Sequence, residues 1–252
     1  MANLNPNLID IESSIYWTST DLADYNIVIK YEDALTFFGT DELPLSTVDP
    51  EILTRQTAKD MTLGCNARFI DRITLAMVPV RAEARDWEES AVIEFAAELL
   101  ELLGYVERRC ITRSLKELPL LSRDEWKSAK CDVCRFHCLR KEVLLVVNED
   151  RHYMDDPRHA EAQLVAQAIA AFDYNNRSRT WAGLPTLDSK IMPGIVILGT
   201  APTFYKIPVT AALVQHHPGP RPDRRLSEGM EPRDNREIIL RSYEAFKSFV
   251  DL

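Results

Sequence analysis

Asp132, Glu149 and Arg151 lie on two strand-like runs, 130–138 and 142–150, that a short turn would join. A two-residue turn at Leu139–Arg140 sets Asp132 opposite Val147. A four-residue turn over 139–142 sets it opposite Glu149 instead. In either register Asp132, Glu149 and Arg151 share a face, because strand side chains alternate with period two. A slip of one residue would separate them. Two neighbouring carboxylates repel unless a positive charge sits between them. A hard divalent cation such as Mg²⁺ takes one or two carboxylates and several waters, and it can orient water and stabilise charge on a transferring phosphoryl group. The same residues also fit solvated strand ends, and spacing alone leaves both readings open.

A second constellation overlaps the first. Cys131, Cys134, His137 and Cys138 place four soft ligands in a short stretch. Structural zinc draws its ligands from two separated pairs, and Cys65 and Cys110 are isolated. On a regular strand 131 and 137 face one way, 134 and 138 the other. Buried cysteines acting as small apolar residues are the preferred reading, and zinc is not expected. His216 and His217 precede a Pro-rich loop and read as a solvated pair. Glycine is scarce, eight residues in all, and no phosphate-cradling loop or nucleophile elbow is present.

The chain has 252 residues and a formal net charge of −9. That balance argues against a broad nucleic-acid-coating surface, which needs clustered Lys and Arg, while leaving a narrow groove open. Arg221, Arg224, Arg225, Arg233, Arg236 and Arg241 crowd the last fifth of the sequence and read as a solvated face. No apolar run of about eighteen residues predicts a membrane span, and the start lacks a secretory pattern. Five cysteines, an odd number, point to a reducing compartment. An intracellular protein, cytoplasmic or nuclear and not secreted, is expected.

The elements that must position these residues follow from periodicity. Residues 86–103 predict a helix, with Ile93, Ala96, Leu100 and Leu103 in one stripe, Glu89 sharing it and Gly104 ending it. Strands are expected at 105–112, 130–138 and 142–150, with a loop around Pro119. The run 142–150 is nearly all apolar and predicts a central strand covered on both faces. Residues 157–174 predict a helix capped by Asp156, followed by strands at 191–200 and 204–210 and a closing helix over 234–249. Before residue 80 the pattern is weaker: a short strand at 26–31, a helix over 32–38 stopped by Gly39, and a helix from Pro50 capped by Asp49. The order α-β-β-β-α-β from residue 86 onward predicts an α/β sandwich with a mixed sheet.

A helix carboxylate, a strand Asp, a Glu-x-Lys on the next strand and a helix Gln resemble the PD-(D/E)XK nuclease superfamily. The sequence is closest to a group of fungal proteins assigned to it. The resemblance rests on Asp132-Val133-Cys134, Glu149-Asp150-Arg151, the run Glu161-Ala162-Gln163-Leu164-Val165-Ala166 to Phe172, the block Gly199–Thr210 and Ser227-Glu228-Gly229-Met230, within about residues 88–250. It implies a restriction-endonuclease-like αβββαβ core over 81–252, with residues 1–80 as a less regular extension packed on it. Asp132 and Glu149 would be metal ligands, Glu89 a helix carboxylate binding a metal water, and Gln163 would point toward the site. The cofactor would be Mg²⁺ or Mn²⁺ and the partner DNA or RNA, with no membrane. Position 151 departs from the pattern: the family has Lys, which can lose a proton when desolvated, whereas Arg stays charged. Lys206 is a candidate substitute, with a surface strand Lys as the plainer reading. The resemblance therefore implies either a metal-dependent nuclease or a nuclease-fold protein that binds nucleic acid or a protein partner without cleavage.

Overall fold

The computed structural model describes residues 17–78, 89–106, 109–122, 125–150, 158–210, 217–218 and 228–250. Its helices are α1 (Ser19–Asp24), α2 (Ala34–Phe38), α3 (Pro50–Thr54), α4 (Gly64–Ala76), α5 (Glu89–Leu102), α6 (Arg158–Trp181) and α7 (Arg233–Phe246). The strands are β1 (Cys110–Ser122), β2 (Glu125–His137), β3 (Glu142–Glu149), β4 (Ser189–Leu198), β5 (Ala201–Thr210) and the two-residue β6 (His217–Pro218). They form one sheet in sequence order. Among the described strands only the β3–β4 pair is parallel, and α6 makes the crossover between those two strands. The chain is thus an α/β protein with a mixed sheet.

Helices cover both faces. One apolar cluster joins Val133, Leu145, Val147, Ile195 and Phe204 of the sheet to α4, α5 and α7. The other joins Cys134, Phe136, Val146, Val196 and Ile207 to α6. Every β3 residue is buried, as its apolar run predicts for a central strand. Close packing demands Gly194 on β4, where a Cβ would sit 2.9 Å from Leu164 Cδ2 of α6. The N-terminal region is part of this core: Phe37, Ile52, Phe69 and Ile73 enter the first cluster, and Trp17, Leu22 and Ile27 the second.

Several local expectations hold for their stated reasons. Asp49 caps α3 by accepting from Glu51 N–H at 2.8 Å, with Pro50 in the first turn. Gly39 and Gly104 end their helices with φ of +66° and +73°. Others need correction. Residues 26–31 are irregular rather than a strand, and β1 begins at Cys110, after the described residues Tyr105, Val106 and Arg109. Pro119 lies inside β1, paired with Ser128, and not in a loop. β1 is the sheet's edge, so the missing proline N–H costs no ladder bond. Helix α4 has no counterpart in the expected elements, although Phe69, Ile70, Ile73 and Ala76 carry its buried stripe.

The arginine-rich tail is not uniformly a solvated face: Arg233 is exposed and Arg241 half-buried, but Arg236 is not. Arg236 is 1% exposed and donates to the carbonyls of Ile52, Arg55, Met230 and Glu231. Desolvation there pulls its pKa down to about 10. Arg233 bonds Thr54 O, and Arg241 bonds Pro44 O and Leu43 O. These side chains tie α7 to α3 and to the segment before it. Arg221, Arg224 and Arg225 lie outside the described residues.

Candidate functional site

The β2–β3 register departs from both expected alignments. Next to the turn, His137 pairs with Glu142 and Phe136 with Val143, the alignment of the two-residue turn. Beyond that the register shifts by one: Arg135 pairs with Leu145, Cys134 with Val146 and Val133 with Val147. Leu144 is the extra residue, a β-bulge. Both expected registers, with Asp132 opposite Val147 or Glu149, are therefore corrected. Continuing the observed one puts Asn148 across from Asp132, so alternation alone would turn Asp132 and Glu149 to opposite faces.

A second irregularity intervenes. Leu115 has φ of +51°, and the β1–β2 ladder steps from Ser114↔Val133 to Lys116↔Cys131 around Leu115 and Asp132. The side-chain alternation of β2 breaks here. Cys131 and Cys134 both enter the α6-side cluster, while Val133 enters the other. The expectation that these two cysteines face opposite ways is corrected for the same reason.

Asp132 sits where β2 parts from β3. Its Oδ2 accepts a hydrogen bond from the Glu149 backbone N–H at 2.9 Å, in place of a strand carbonyl. Both residues are 8% exposed. β3 continues against β4 through Asp150 N–H to Ile197 O at 2.8 Å. The fork is bridged from α6. Gln167 Nε2 donates to Lys130 O on β2 at 2.9 Å and to Asn148 Oδ1 on β3 at 2.7 Å. Asn148 Nδ2 in turn lies 3.3 Å from both Ala160 O and Glu149 O.

The rim beside this fork is held by two segments distant in sequence. Thr200 Oγ1 accepts from Met230 N–H at 2.6 Å and lies 3.2 Å from Met77 Sδ. Gly229 has φ of +50°, and a Cβ there would stand 2.1 Å from Thr200 Oγ1. The Gly199–Thr200 and Glu228–Met230 motifs thus meet at the C-terminal end of β4.

Of the expected site residues, the structure brings the Asp132 carboxylate to the Glu149 backbone N–H. Glu89 is the first described residue of α5, and its side chain and all of Arg151 lie outside the described residues. Gln163 is a correction: its Nε2 donates to Trp17 O at 3.1 Å, so its amide binds the N-terminal segment. Gln167, one turn later, reaches the two strands. A buried amide on an alanine-rich helix face is the signal that could have singled it out. Lys206 is neither a surface lysine nor a site donor. Its ammonium bonds Phe37 O and lies 4.4 and 3.9 Å from the ring centroids of Phe37 and Phe249.

Cys131 and Cys134 are buried, and Cys131 Sγ lies 3.1 Å from Val133 O. Burial pushes the Cys131 thiol well up; the facing Cys131 thiol lowers that of Cys134. His137 Nδ1 accepts from Arg140 N–H at 3.1 Å, a turn-closing contact. Among the described residues no group of three or more His, Cys, Asp or Glu side chains is placed to hold a metal ion. Glu161, buried on α6, accepts hydroxyl bonds from Tyr31 at 2.7 Å and Tyr205 at 2.8 Å.

Fold and site together define an α/β protein whose mixed sheet opens at a fork carrying two carboxylates. No protein-family model matches the chain, and no curated protein matches it. No described helix is long and apolar enough to cross a membrane.

Proposed function

We propose that the fork of Asp132 and Glu149 is a divalent-cation site on a PD-(D/E)XK nuclease-like, restriction-endonuclease-like core. The activity would be hydrolysis of phosphodiester bonds in DNA or RNA. The observation that carries this reading is the bond from Glu149 N–H to Asp132 Oδ2. It brings two buried carboxyl-bearing residues, each 8% exposed, to the end of β3. Hard oxygen donors of this kind suit Mg²⁺ or Mn²⁺. Asp132 and Glu149 would hold the ion, with Glu89 at the start of α5 as the third carboxylate. When bound, the ion supplies a polarised phosphoryl oxygen and an acidified water. The chain's own contribution is orientation: the Glu149 N–H fixes the Asp132 carboxylate, and α6 bridges the two strands behind it.

A second reading is favoured by Arg151 and the net charge of −9. An Arg can hold a phosphate but cannot serve as a base, so the chain would bind nucleic acid or a protein partner without cutting. Cleavage of single- and double-stranded DNA and RNA with Mg²⁺ or Mn²⁺ tests both, using wild type, Arg151→Lys and Asp132→Ala. The nuclease reading expects cutting that Asp132→Ala abolishes. If Arg151 impairs the reaction, Arg151→Lys raises the rate by about 10²–10⁴-fold. Folded wild type and Arg151→Lys that both fail to cut would leave the binding reading in place.

A further inference from the structure

We infer that Gln167 is a positioning residue that sets the separation of Asp132 and Glu149, an inference that rests on the proposed cation site. The last ladder pair between β2 and β3 is Val133↔Val147. Beyond it the strands would be free to splay. The Gln167 amide spans that gap, donating to Lys130 O, two residues before Asp132, and to Asn148 Oδ1, one residue before Glu149. Asn148 passes the tie on to Ala160 O in the first turn of α6 and to Glu149 O. One side chain on a rigid helix thereby holds both carboxylate-bearing strands.

The chemistry of the amide fits this role. Its NH₂ has two protons, and two backbone or side-chain oxygens on different strands take them. Gln167 is 2% exposed, so water cannot readily replace either bond. Its Oε1 is buried and accepts no hydrogen bond among the described residues. The donors are therefore what hold the side chain in place. Methionine has a similar length and volume and no donor. Gln167→Met would keep the packing against β3 while releasing both strands.

The experiment compares wild type, Gln167→Met and Asn175→Ala, with Mn²⁺ as the probe. Asn175 lies on the same helix but holds the opposite end of β3. Mn²⁺ affinity is read by electron paramagnetic resonance, and amide exchange of Glu149 and Val146 by two-dimensional NMR. Gln167→Met is expected to weaken Mn²⁺ binding about 10–100-fold, the range for residues that orient metal ligands. Glu149 N–H exchange should rise by about tenfold while Val146 stays protected. Asn175→Ala should lower stability and leave Mn²⁺ affinity unchanged. Gln167→Met with wild-type Mn²⁺ affinity and Glu149 exchange overturns the positioning role and leaves the cation site standing. Wild type that binds no Mn²⁺ overturns the cation site and with it any role of Gln167 toward an ion. Should Gln167→Met fail to fold, Gln167→Leu serves. It also lacks both donors and adds no charge, and wild-type affinity in that variant would equally overturn the inference.

Discussion

The two ends of β3 are closed in different ways. At the turn end, Val143 has its N–H bonded to Asn175 Oδ1 at 2.7 Å and its C=O bonded by Asn175 Nδ2 at 2.8 Å. One neutral amide, 1% exposed, satisfies both backbone groups. At the other end, Gln167 performs the bridging, and the Glu149 N–H turns to the carboxylate of Asp132. Both amides come from α6, so the helix supplies partners wherever the ladder stops. An amide completes a buried end without introducing charge. The other end carries carboxyl-bearing residues, which bring charge with them. The contrast separates a stability device from the proposed cation site.

Breaking the neutral end should have the largest effect on stability. Asn175→Ala strands a buried N–H and a buried C=O, each costing about 1–3 kcal/mol. Urea unfolding should therefore show a loss of about 2–5 kcal/mol with cation affinity untouched. A loss under about 1 kcal/mol would mean that water or a backbone shift replaces the amide.

The charged end should respond in the opposite sense. Asp132→Asn keeps an oxygen able to accept from Glu149 N–H. Its stability without added cation should change by less than about 1 kcal/mol. Mn²⁺ binding, followed by calorimetry, should nonetheless disappear, since an amide oxygen cannot replace the lost charge. Equal Mn²⁺ affinity in wild type and variant would remove Asp132 from the ligand set.

A third, smaller effect sharpens the comparison by pH. The segment leading into α4 is held by Glu51, whose Oε1 accepts from Thr62 N–H at 2.7 Å and from Thr62 Oγ1 at 2.5 Å. Further bonds come from Asn66 Nδ2 at 3.0 Å and Leu63 N–H at 3.3 Å. The Thr62 hydroxyl first, then these other donors, hold its pKa down to about 2 from 4.5. A depressed carboxylate pKa contributes stability that is fully present above the unfolded value and lost as pH falls through the folded one. Acid unfolding between about pH 4.5 and 2 should thus be shallower in Glu51→Gln. The Asn175 tie has no titrating group, so Asn175→Ala should shift the whole curve without changing that slope.

Residue types and spacing alone determined much of this molecule. Asp49-Pro50 starts a helix because its side chain and fixed φ suit that position. Gly39 and Gly104 end helices because they tolerate positive φ. The apolar run of β3 reads as a strand covered on both faces, and Asp132 and Glu149 were legible as neighbours on one hairpin although neither register drawn from turn length held. The tertiary structure decided what periodicity cannot express. Leu144 is skipped and Leu115 takes a left-handed turn, because helices packed on both faces select which side chains point where. Nothing local distinguishes those residues from their neighbours. Pro119 is tolerated in a strand only because that strand lies at the edge. Gln163 and Gln167 are equivalent in a helical pattern. Contacts with residues far away in sequence send the first to Trp17 and the second to the fork. The sequence determined which groups were available, and long-range packing chose the one that joins the two strands.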